Sequence, residues 1–186
     1  MATYISLEKP ENHRLAVFYE GAVMQGEDKL PITVLAMEKI ELVGLCIRTT
    51  IQDAFKDCPP FWEQDFMPRL SEITGKPISA FQGITYGISV MVGNEGAIDY
   101  CAAVSLATGM SMPLGMRSIT LQGGLYAHCK VTSLALLGAA YDEIYSQWPS
   151  KQSEYVPMMQ APCFERYDEQ FMENGSFELF VPVRKA

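Results

Sequence analysis

The chain has 186 residues, 48% of them hydrophobic, and a formal net charge of -8 at pH 7. This length and composition allow one sizeable core and are too small for two domains of ordinary size. The acidic excess argues against binding to nucleic acid phosphates or to an anionic membrane surface, and it is compatible with a cationic small ligand. No apolar stretch reaches the ~18 residues of a membrane span, and the start of the chain lacks the pattern of a secretory signal, so we expect a cytoplasmic protein.

The cysteines are scattered along the chain, odd in number, and contain no CxxC pair. This pattern favours reduced, mostly buried thiols over a disulfide framework. The five are Cys46, Cys58, Cys101, Cys129 and Cys163.

Residues 1-36 form a lead-in whose pattern is only loosely regular. Within it, Arg14 to Met24 predicts an extra strand with a break at a glycine. Two roles are open for this strand: it makes the protein a homodimer, or it covers the edge of a sheet.

The regular pattern begins with an alternating run, Lys39 to Arg48, which predicts a strand. Thr49 to Pro60 is polar and contains two prolines, so we expect a loop. Phe61 to Thr74 predicts a helix, because an apolar stripe recurs at helical spacing. Pro68 lies inside the stripe and predicts a kink or a late helix start. The stripe consists of Trp62, Phe66, Leu70 and Ile73. Two strands follow, Thr85 to Val92 and Ala97 to Ala107, joined by a Gly-Asn-Glu-Gly turn.

A second series of elements follows. Arg117 to Gln122 and Leu125 to Val131 predict strands separated by a double-glycine bend. Ser133 to Trp148 predicts a helix that Pro149 ends. The last strands are expected at Cys163-Asp168 and Phe177-Val183, with a polar loop from Glu169 to Ser176 between them.

The order strand, helix, strand, strand therefore occurs twice, in halves of about 39-107 and 117-183. We predict one α+β domain over residues 37-186, with duplicated βαββ units and pseudo-two-fold symmetry. Its helices should lie on one side of a curved antiparallel sheet, and a cleft between the halves is the expected ligand site.

Signatures for several common chemistries are absent from the sequence. There is no GxGxxG, GxxxxGK[ST], GxSxG or HExxH. Two histidines and scattered cysteines offer no metal-ligand spacing, so we expect neither a metal nor a cofactor. His128 is interpreted as an ordinary strand histidine.

Glu178 is the most informative residue, because it is a carboxylate inside an otherwise apolar strand. Alternation places Phe177, Leu179 and Val181 on one face of that strand, and Glu178 and Phe180 on the other. If the first face packs on the helices, Glu178 points to the concave side of the sheet. The other open reading is that Glu178 simply faces solvent.

The chain is also rich in aromatic residues, and a second carboxylate, Glu165, lies on the neighbouring predicted strand. A carboxylate ringed by aromatic side chains binds a flat cation well. It can also have a raised pKa and act as a general acid or base.

The chain resembles the gyrase-inhibitor-like (GyrI-like) family, also seen as the effector-binding domain of AraC-type and MerR-type regulators, and in particular its integron-associated effector-binding branch. The resemblance covers about residues 37-184. It rests on short motifs in a fairly specific order: Phe61-Trp62, Tyr86-Gly87-Ile88, Asp99-Tyr100, Gly123 to Ala127, Ile144 to Pro149, Phe164 to Asp168 and Phe177 to Val183.

The resemblance implies a pocket that binds bulky, often cationic or aromatic compounds through aromatic side chains and a glutamate on the final strand, here Glu178. We therefore expect a stand-alone binder of hydrophobic, cationic or aromatic small molecules, acting in effector sensing or drug sequestration. The chain lacks a helix-turn-helix or basic segment, so we expect no direct binding to nucleic acid and none to membranes. The expected ligand-binding residues are Glu178, Trp62, Tyr86, Tyr100, Tyr126, Trp148 and Phe180.

Two alternatives stay open at this point. Some members of the family hydrolyse reactive cyclopropane-bearing electrophiles, in which case Glu178 would be the catalytic acid or base. The family name also implies a protein that inhibits another enzyme.

Overall fold

The computed structural model describes residues 30–93 and 96–186. The strand expected at Arg14 to Met24 lies outside these residues. Nine strands occur in the described part: β1 (Thr33–Met37), β2 (Ile40–Thr50), β3 (Thr85–Val92), β4 (Ala97–Val104), β5 (Arg117–Leu121), β6 (Gly124–Val131), β7 (Tyr155–Pro157), β8 (Cys163–Tyr167) and β9 (Phe177–Lys185).

Two composite helical segments connect the strands, and each changes its helical pitch along its length. Segment 54–74 contains α1 (Ala54–Pro60), a π-helical part (Phe61–Phe66), a 3₁₀ turn (Met67–Arg69) and α2 (Leu70–Thr74). Segment 134–151 contains a 3₁₀ turn (Leu134–Leu136), α3 (Leu137–Asp142), a π-helical part (Glu143–Gln147) and α4 (Trp148–Lys151). A 3₁₀ turn (Ile78–Ala80) and a short helix, α5 (Glu169–Asn174), complete the set. No helix of the described chain is both long enough and apolar enough to span a bilayer.

The strands form one antiparallel sheet in the order β1-β6-β9-β8-β3-β4-β2-β5, and β7 pairs with the end of β9. The predicted α+β class with an antiparallel sheet is therefore confirmed. β1 crosses the predicted domain boundary at residue 36 and pairs with β6, so it belongs to the sheet. Duplication and pseudo-two-fold symmetry of the halves stay predictions.

Two short connections force this sheet to curl. Only Glu38 and Lys39 separate β1, at one edge, from β2, which lies next to the other edge. Only Gln122 and Gly123 separate β5, at the second edge, from β6, next to the first. Two intervening residues let the strand ends lie at most ~11 Å apart, which is about two strand spacings of ~4.8 Å. The two ends of the sheet must therefore approach each other.

The inner face of the curled sheet is filled by side chains. One core cluster joins Leu121 on β5 to Tyr126 on β6, which brings the two ends of the sheet into contact. Phe164 and Phe180 stack at the centre of this cluster with ring centroids 4.7 Å apart. The concave side is therefore a packed core.

The outer face carries the two helical segments. Phe66, Leu70 and Ile73 of segment 54–74 are fully buried against β2 and β4. Ala140 and Ile144 of segment 134–151 are fully buried against β6 and β9. Helices thus lie on one side of the sheet, as predicted, and the apolar stripes of the sequence are what they bury.

Pro68, where a kink or a late helix start is predicted, lies inside a helical segment that already begins at Ala54. The helix changes there from a π-helical part to a 3₁₀ turn, because a proline inside a helix removes a hydrogen-bond donor and crowds the preceding turn. Gly75 then ends the helix in the left-handed conformation, with a φ of 67°.

Two predicted loops are wrong. The loop expected at Thr49 to Pro60 contains α1, whose two prolines lie at its end, where the helix changes pitch. The loop expected at Glu169 to Ser176 contains α5, whose first turn is capped by the side chain of Asp168 accepting a hydrogen bond from the backbone of Gln170.

The predicted helix end at Pro149 is also wrong. The helix continues through Pro149 to Lys151, because the proline occupies the first turn of α4, where its missing N–H is tolerated.

A disulfide joins Cys46 and Cys101, so the expectation of reduced thiols throughout is wrong for this pair. The two residues are directly opposite each other on β2 and β4, with Cα atoms 4.0 Å apart. Antiparallel strands bring facing side chains close at such positions, which a scan for local spacing between cysteines does not detect. The remaining thiols, Cys58, Cys129 and Cys163, are free.

We expect reduction of the Cys46–Cys101 disulfide to lower the free energy of unfolding by about 2–4 kcal/mol, since the bond closes a long loop in the unfolded chain. Urea titrations with and without reductant measure this difference. Thiol titration of the unfolded, unreduced protein should find only the three free cysteines. Five reactive thiols in protein kept under air would contradict the pairing.

Candidate functional site

A cavity of about 740 Å³ lies on the outer face of the sheet, lined by both helical segments and by strands β3, β4 and β8. This size is typical of sites for small organic ligands. Its aromatic lining consists of Phe55, Trp62, Phe81, Tyr100, Tyr141, Tyr145, Tyr167 and Phe171.

Glu165 is the buried carboxylate of this cavity. It is 2% exposed and is the one buried charged residue among those that the structure describes. Its Oε1 accepts a hydrogen bond of 2.7 Å from the hydroxyl of Tyr141. Its Oε2 is buried and has no hydrogen-bond partner within the described chain. The hydroxyls of Tyr100 and Tyr167 lie near enough to favour the charged form, but neither makes a well-formed hydrogen bond to this oxygen, and an incompletely satisfied buried acceptor is costly.

Burial raises the pKa of Glu165 to about 7. The neighbouring hydroxyls of Tyr141, Tyr100 and Tyr167 act in the opposite direction by favouring the charged form. No cation compensates for the burial, because none of the described residues that line the cavity is Lys, Arg or His.

Gly87 makes room for the carboxylate. It lies opposite Glu165 in the β3–β8 register. A Cβ at this position would meet Glu165 Oε2 at 2.3 Å and the Tyr100 hydroxyl at 2.4 Å. The absence of a side chain therefore allows both polar groups to occupy the floor of the cavity.

The aromatic lining forms a connected row from the interior outwards. The Trp62 ring meets the Tyr167 ring edge-on at 5.8 Å, and Tyr167 meets Phe171 at 4.8 Å. The indole N–H of Trp62 donates a 2.8 Å hydrogen bond to the Tyr100 hydroxyl. These contacts hold the rings in place beside Glu165.

Among the predicted ligand-binding residues, the structure places Trp62 and Tyr100 in the cavity. Trp148, in the second helical segment, does not line the cavity. Its ring stacks on that of Tyr155, with ring centroids 6.4 Å apart.

Glu178, Tyr86, Tyr126 and Phe180 lie on the opposite, inner face of the sheet. In the β8–β9 register, Glu178 faces Arg166, whereas Glu165 faces Leu179, and successive residues of a strand point to opposite faces. The alternation predicted for β9 agrees with the burial of Phe177, Leu179 and Val181 under the second helical segment. The structure therefore separates Glu178 from the cavity.

Glu178 already has partners on the inner face. Arg166 Nη1 donates to its Oε2, and His128 Nε2 lies 3.0 Å from its Oε1. His128 Nδ1 in turn lies 3.3 Å from the Thr33 hydroxyl of β1. The charge of Glu178 is thus compensated. The same side-chain contacts connect β1 and β8 to β9, the strand that carries Glu178.

The sequence places Glu165 on a strand next to that of Glu178 but favours Glu178 as the site residue. Both are acids in apolar strands, so composition could not distinguish them. The signal that separates them is register: Glu165 aligns with Leu179, on the face buried under the helices, and Glu178 does not.

A metal site finds no support in the described residues, where no group of His, Cys, Asp and Glu side chains is placed to hold an ion.

The raised pKa of Glu165 predicts a specific pH dependence of stability. Its pKa is about 7 in the folded protein and near 4.5 when unfolded, so the folded state binds the proton more tightly. The corresponding stabilisation, roughly 3 kcal/mol, is fully present below about pH 4.5 and is lost as pH rises through about 7. Urea unfolding should give a lower free energy at about pH 8.5 than at about pH 5.5. Glu165→Gln should remove this part of the pH dependence, and an unchanged profile in the variant would contradict the assignment.

The fold is found in several solved structures. SAV2435 bound to tetraphenylphosphonium matches with a TM-score of 0.63 and 18% identity, over 83% of this chain and 94% of that chain. The integron cassette protein VCH_CASS2 from the mobile metagenome of Vibrio cholerae matches with a TM-score of 0.55 and 16% identity, over 84% and 100%. The C-terminal domain of EcmrR matches with a TM-score of 0.57 and 10% identity, over 85% and 99%.

No curated protein matches the chain. A family model does, over residues 33–183, from the first strand of the sheet to the last. That model describes the integron-associated effector binding protein family, and this chain belongs to it.

Proposed function

We propose that the protein binds bulky hydrophobic cations in the cavity, with Glu165 as the counter-charge. The observation that carries the proposal is the unpartnered, buried Oε2 of Glu165 in a large aromatic cavity. Membership of an effector-binding family supports small-molecule binding in general.

The electrostatics favour a cation over a neutral or anionic ligand. Charging Glu165 in the empty cavity is opposed by burial, because no basic side chain lines the site. A ligand that brings its own positive charge supplies the missing partner. An anion would meet an acidic site with no compensating group.

The aromatic lining favours a bulky ligand with an apolar body. Trp62, Tyr100, Tyr141 and Tyr167 line the same cavity as the carboxylate. Ring faces attract cations, and the attraction is stronger where water is excluded. The binding of tetraphenylphosphonium by SAV2435, a protein with the same fold, is consistent with a ligand of this kind.

The biological role that we propose is effector sensing or drug sequestration, in keeping with the description of the family as effector-binding proteins.

Replacing the carboxylate provides the main test. We expect Glu165→Gln to weaken the binding of tetraphenylphosphonium about tenfold or more, since the variant keeps the shape of the side chain and loses its charge. Fluorescence titration of Trp62 measures the affinity. A Trp148→Phe background isolates this signal, because Trp62 and Trp148 are the two tryptophans of the chain.

Glu178→Gln is the matched control, because it makes the same change one strand away on the opposite face. It should leave the affinity unchanged. If Glu178→Gln weakens binding and Glu165→Gln does not, the ligand site is on the inner face and the proposal is wrong.

The hydrolase alternative now depends on Glu165. Its pKa of about 7 is suited to general acid–base catalysis near neutral pH, and the residue lines the cavity. If the protein hydrolyses cyclopropane-bearing electrophiles, we expect Glu165→Gln to reduce single-turnover product formation about 100-fold or more. Product analysis by mass spectrometry measures it. Turnover that survives Glu165→Gln would exclude this role.

A further inference from the structure

Arg117, at the start of β5, directs its guanidinium at the two sulfur atoms of the disulfide. Its Nε donates a 2.9 Å hydrogen bond to Cys46 Sγ, and its Nη2 lies 3.7 Å from Cys101 Sγ. No described carboxylate lies within ion-pair distance of Arg117. A disulfide sulfur is a weak acceptor, so the contact adds little to the oxidised protein. A thiolate at either position would gain much more from the cation.

The other charged groups beside the disulfide form a pair of their own. Arg48 and Asp99 lie opposite each other on β2 and β4, two residues from the cysteines and on the same face of the sheet. Arg48 Nε donates a 2.6 Å hydrogen bond to Asp99 Oδ1. This bond, with a smaller contribution from Arg117, holds the pKa of Asp99 below its usual range. Asp99 is thus neutralised by Arg48, and the charge of Arg117 stays available to the sulfur atoms.

The two cysteines differ in their access to solvent. Cys46 is half-buried, whereas Cys101 is 5% exposed. β5 pairs with β2 only as far as Gly44 and Arg117, so β2 has no partner on that side at Cys46 within the described chain. An in-line approach to Cys46 Sγ, from the side opposite Cys101, comes from this open edge. An incoming group therefore reaches Cys46 first.

We propose that Cys46 and Cys101 form a site of reversible thiol–disulfide exchange with low-molecular-weight thiols, in which Cys46 carries the mixed disulfide and Arg117 stabilises the thiolates. The site lies on the reverse side of the cavity floor, because Tyr100, the residue before Cys101, lines the cavity. The inference goes beyond the proposed function and does not depend on it.

The exchange proceeds in two displacements. The thiolate of a small molecule attacks Cys46 Sγ, the S–S bond breaks, and its electron pair stays on Cys101 Sγ, near Arg117 Nη2. A second small thiolate then displaces Cys46 from the mixed disulfide, beside Arg117 Nε. Two small thiols are oxidised to one disulfide, and the protein disulfide is reduced to two thiols by the same two electrons and two protons. In the reverse direction, the Cys46 thiolate attacks a small-molecule disulfide, and Cys101 resolves the product.

The first test traps the mixed disulfide. We expect Cys101→Ser, treated with glutathione disulfide, to carry one glutathione on Cys46, because the resolving thiol is missing. Peptide mass spectrometry locates it. Burial raises the pKa of Cys129 to about 12 and that of Cys163 to about 11, and it also raises the pKa of Cys58, so these thiols should stay unmodified. Glutathione on any of these three in place of Cys46 would overturn the inference.

The second test isolates Arg117 in a chain that keeps both cysteines. In reduced, folded protein near neutral pH, we expect Arg117→Gln to slow the alkylation of Cys46 by iodoacetamide about tenfold, since fewer thiols are ionised without the cation. The pH–rate profile should move to higher pH. Arg117→Lys should keep most of the rate, and in urea-unfolded protein all three chains should react alike.

Arg184→Gln is the matched control, because it removes one exposed positive charge from β9, which pairs with neither β2 nor β4. It should leave the profile of Cys46 unchanged. An unchanged profile in Arg117→Gln would overturn the inference, and so would an equal slowing in both variants. Neither test involves a ligand, so its outcome is separate from that of the proposed function.

Discussion

The two short connections between opposite ends of the sheet are the constraint on which the rest of the structure depends. Glu38-Lys39 and Gln122-Gly123 each link strands near different edges, so the sheet has to curl. Curling closes its inner face around large rings such as Phe164 and Phe180, which leaves that face packed. The ligand-sized cavity of the described chain lies on the outer face, where the helical segments pack over the sheet.

The distinctive chemical feature of the outer face is a buried carboxylate, Glu165, that has no basic side chain beside it. Glu165 is held by Tyr141, and Gly87 gives it room, yet no basic side chain of the described lining approaches it. The contrast with Glu178 is informative, because that carboxylate is satisfied by Arg166 and His128. Two similar acids on adjacent strands thus differ in their surroundings: Glu178 pairs with basic side chains, and Glu165 is buried without one.

Much of the fold could be predicted from local pattern. Burial follows directly from two sequence patterns, because side chains recur on one face of a helix or strand with a fixed period. These patterns are the helical stripe of Phe66, Leu70 and Ile73 and the alternation in β9. The helices α1 and α5 were missed, since both are short and one contains prolines. α1 packs Ala54 and Cys58 against the core, and α5 is capped by Asp168 and packs Phe171, so tertiary contacts decide both helices more than residue propensity does.

The sequence by itself determined the class of the domain and its family. It also predicted a ligand-binding carboxylate among aromatic rings. It also identified Trp62 and Tyr100 as lining residues, which the cavity contains. Only the tertiary structure decided which carboxylate faces that cavity and which two cysteines pair. Both outcomes depend on the register between strands distant in sequence, and a shift of one residue moves a side chain to the other face of a sheet. Periodicity within one strand fixes two faces but cannot say which of them the helices cover.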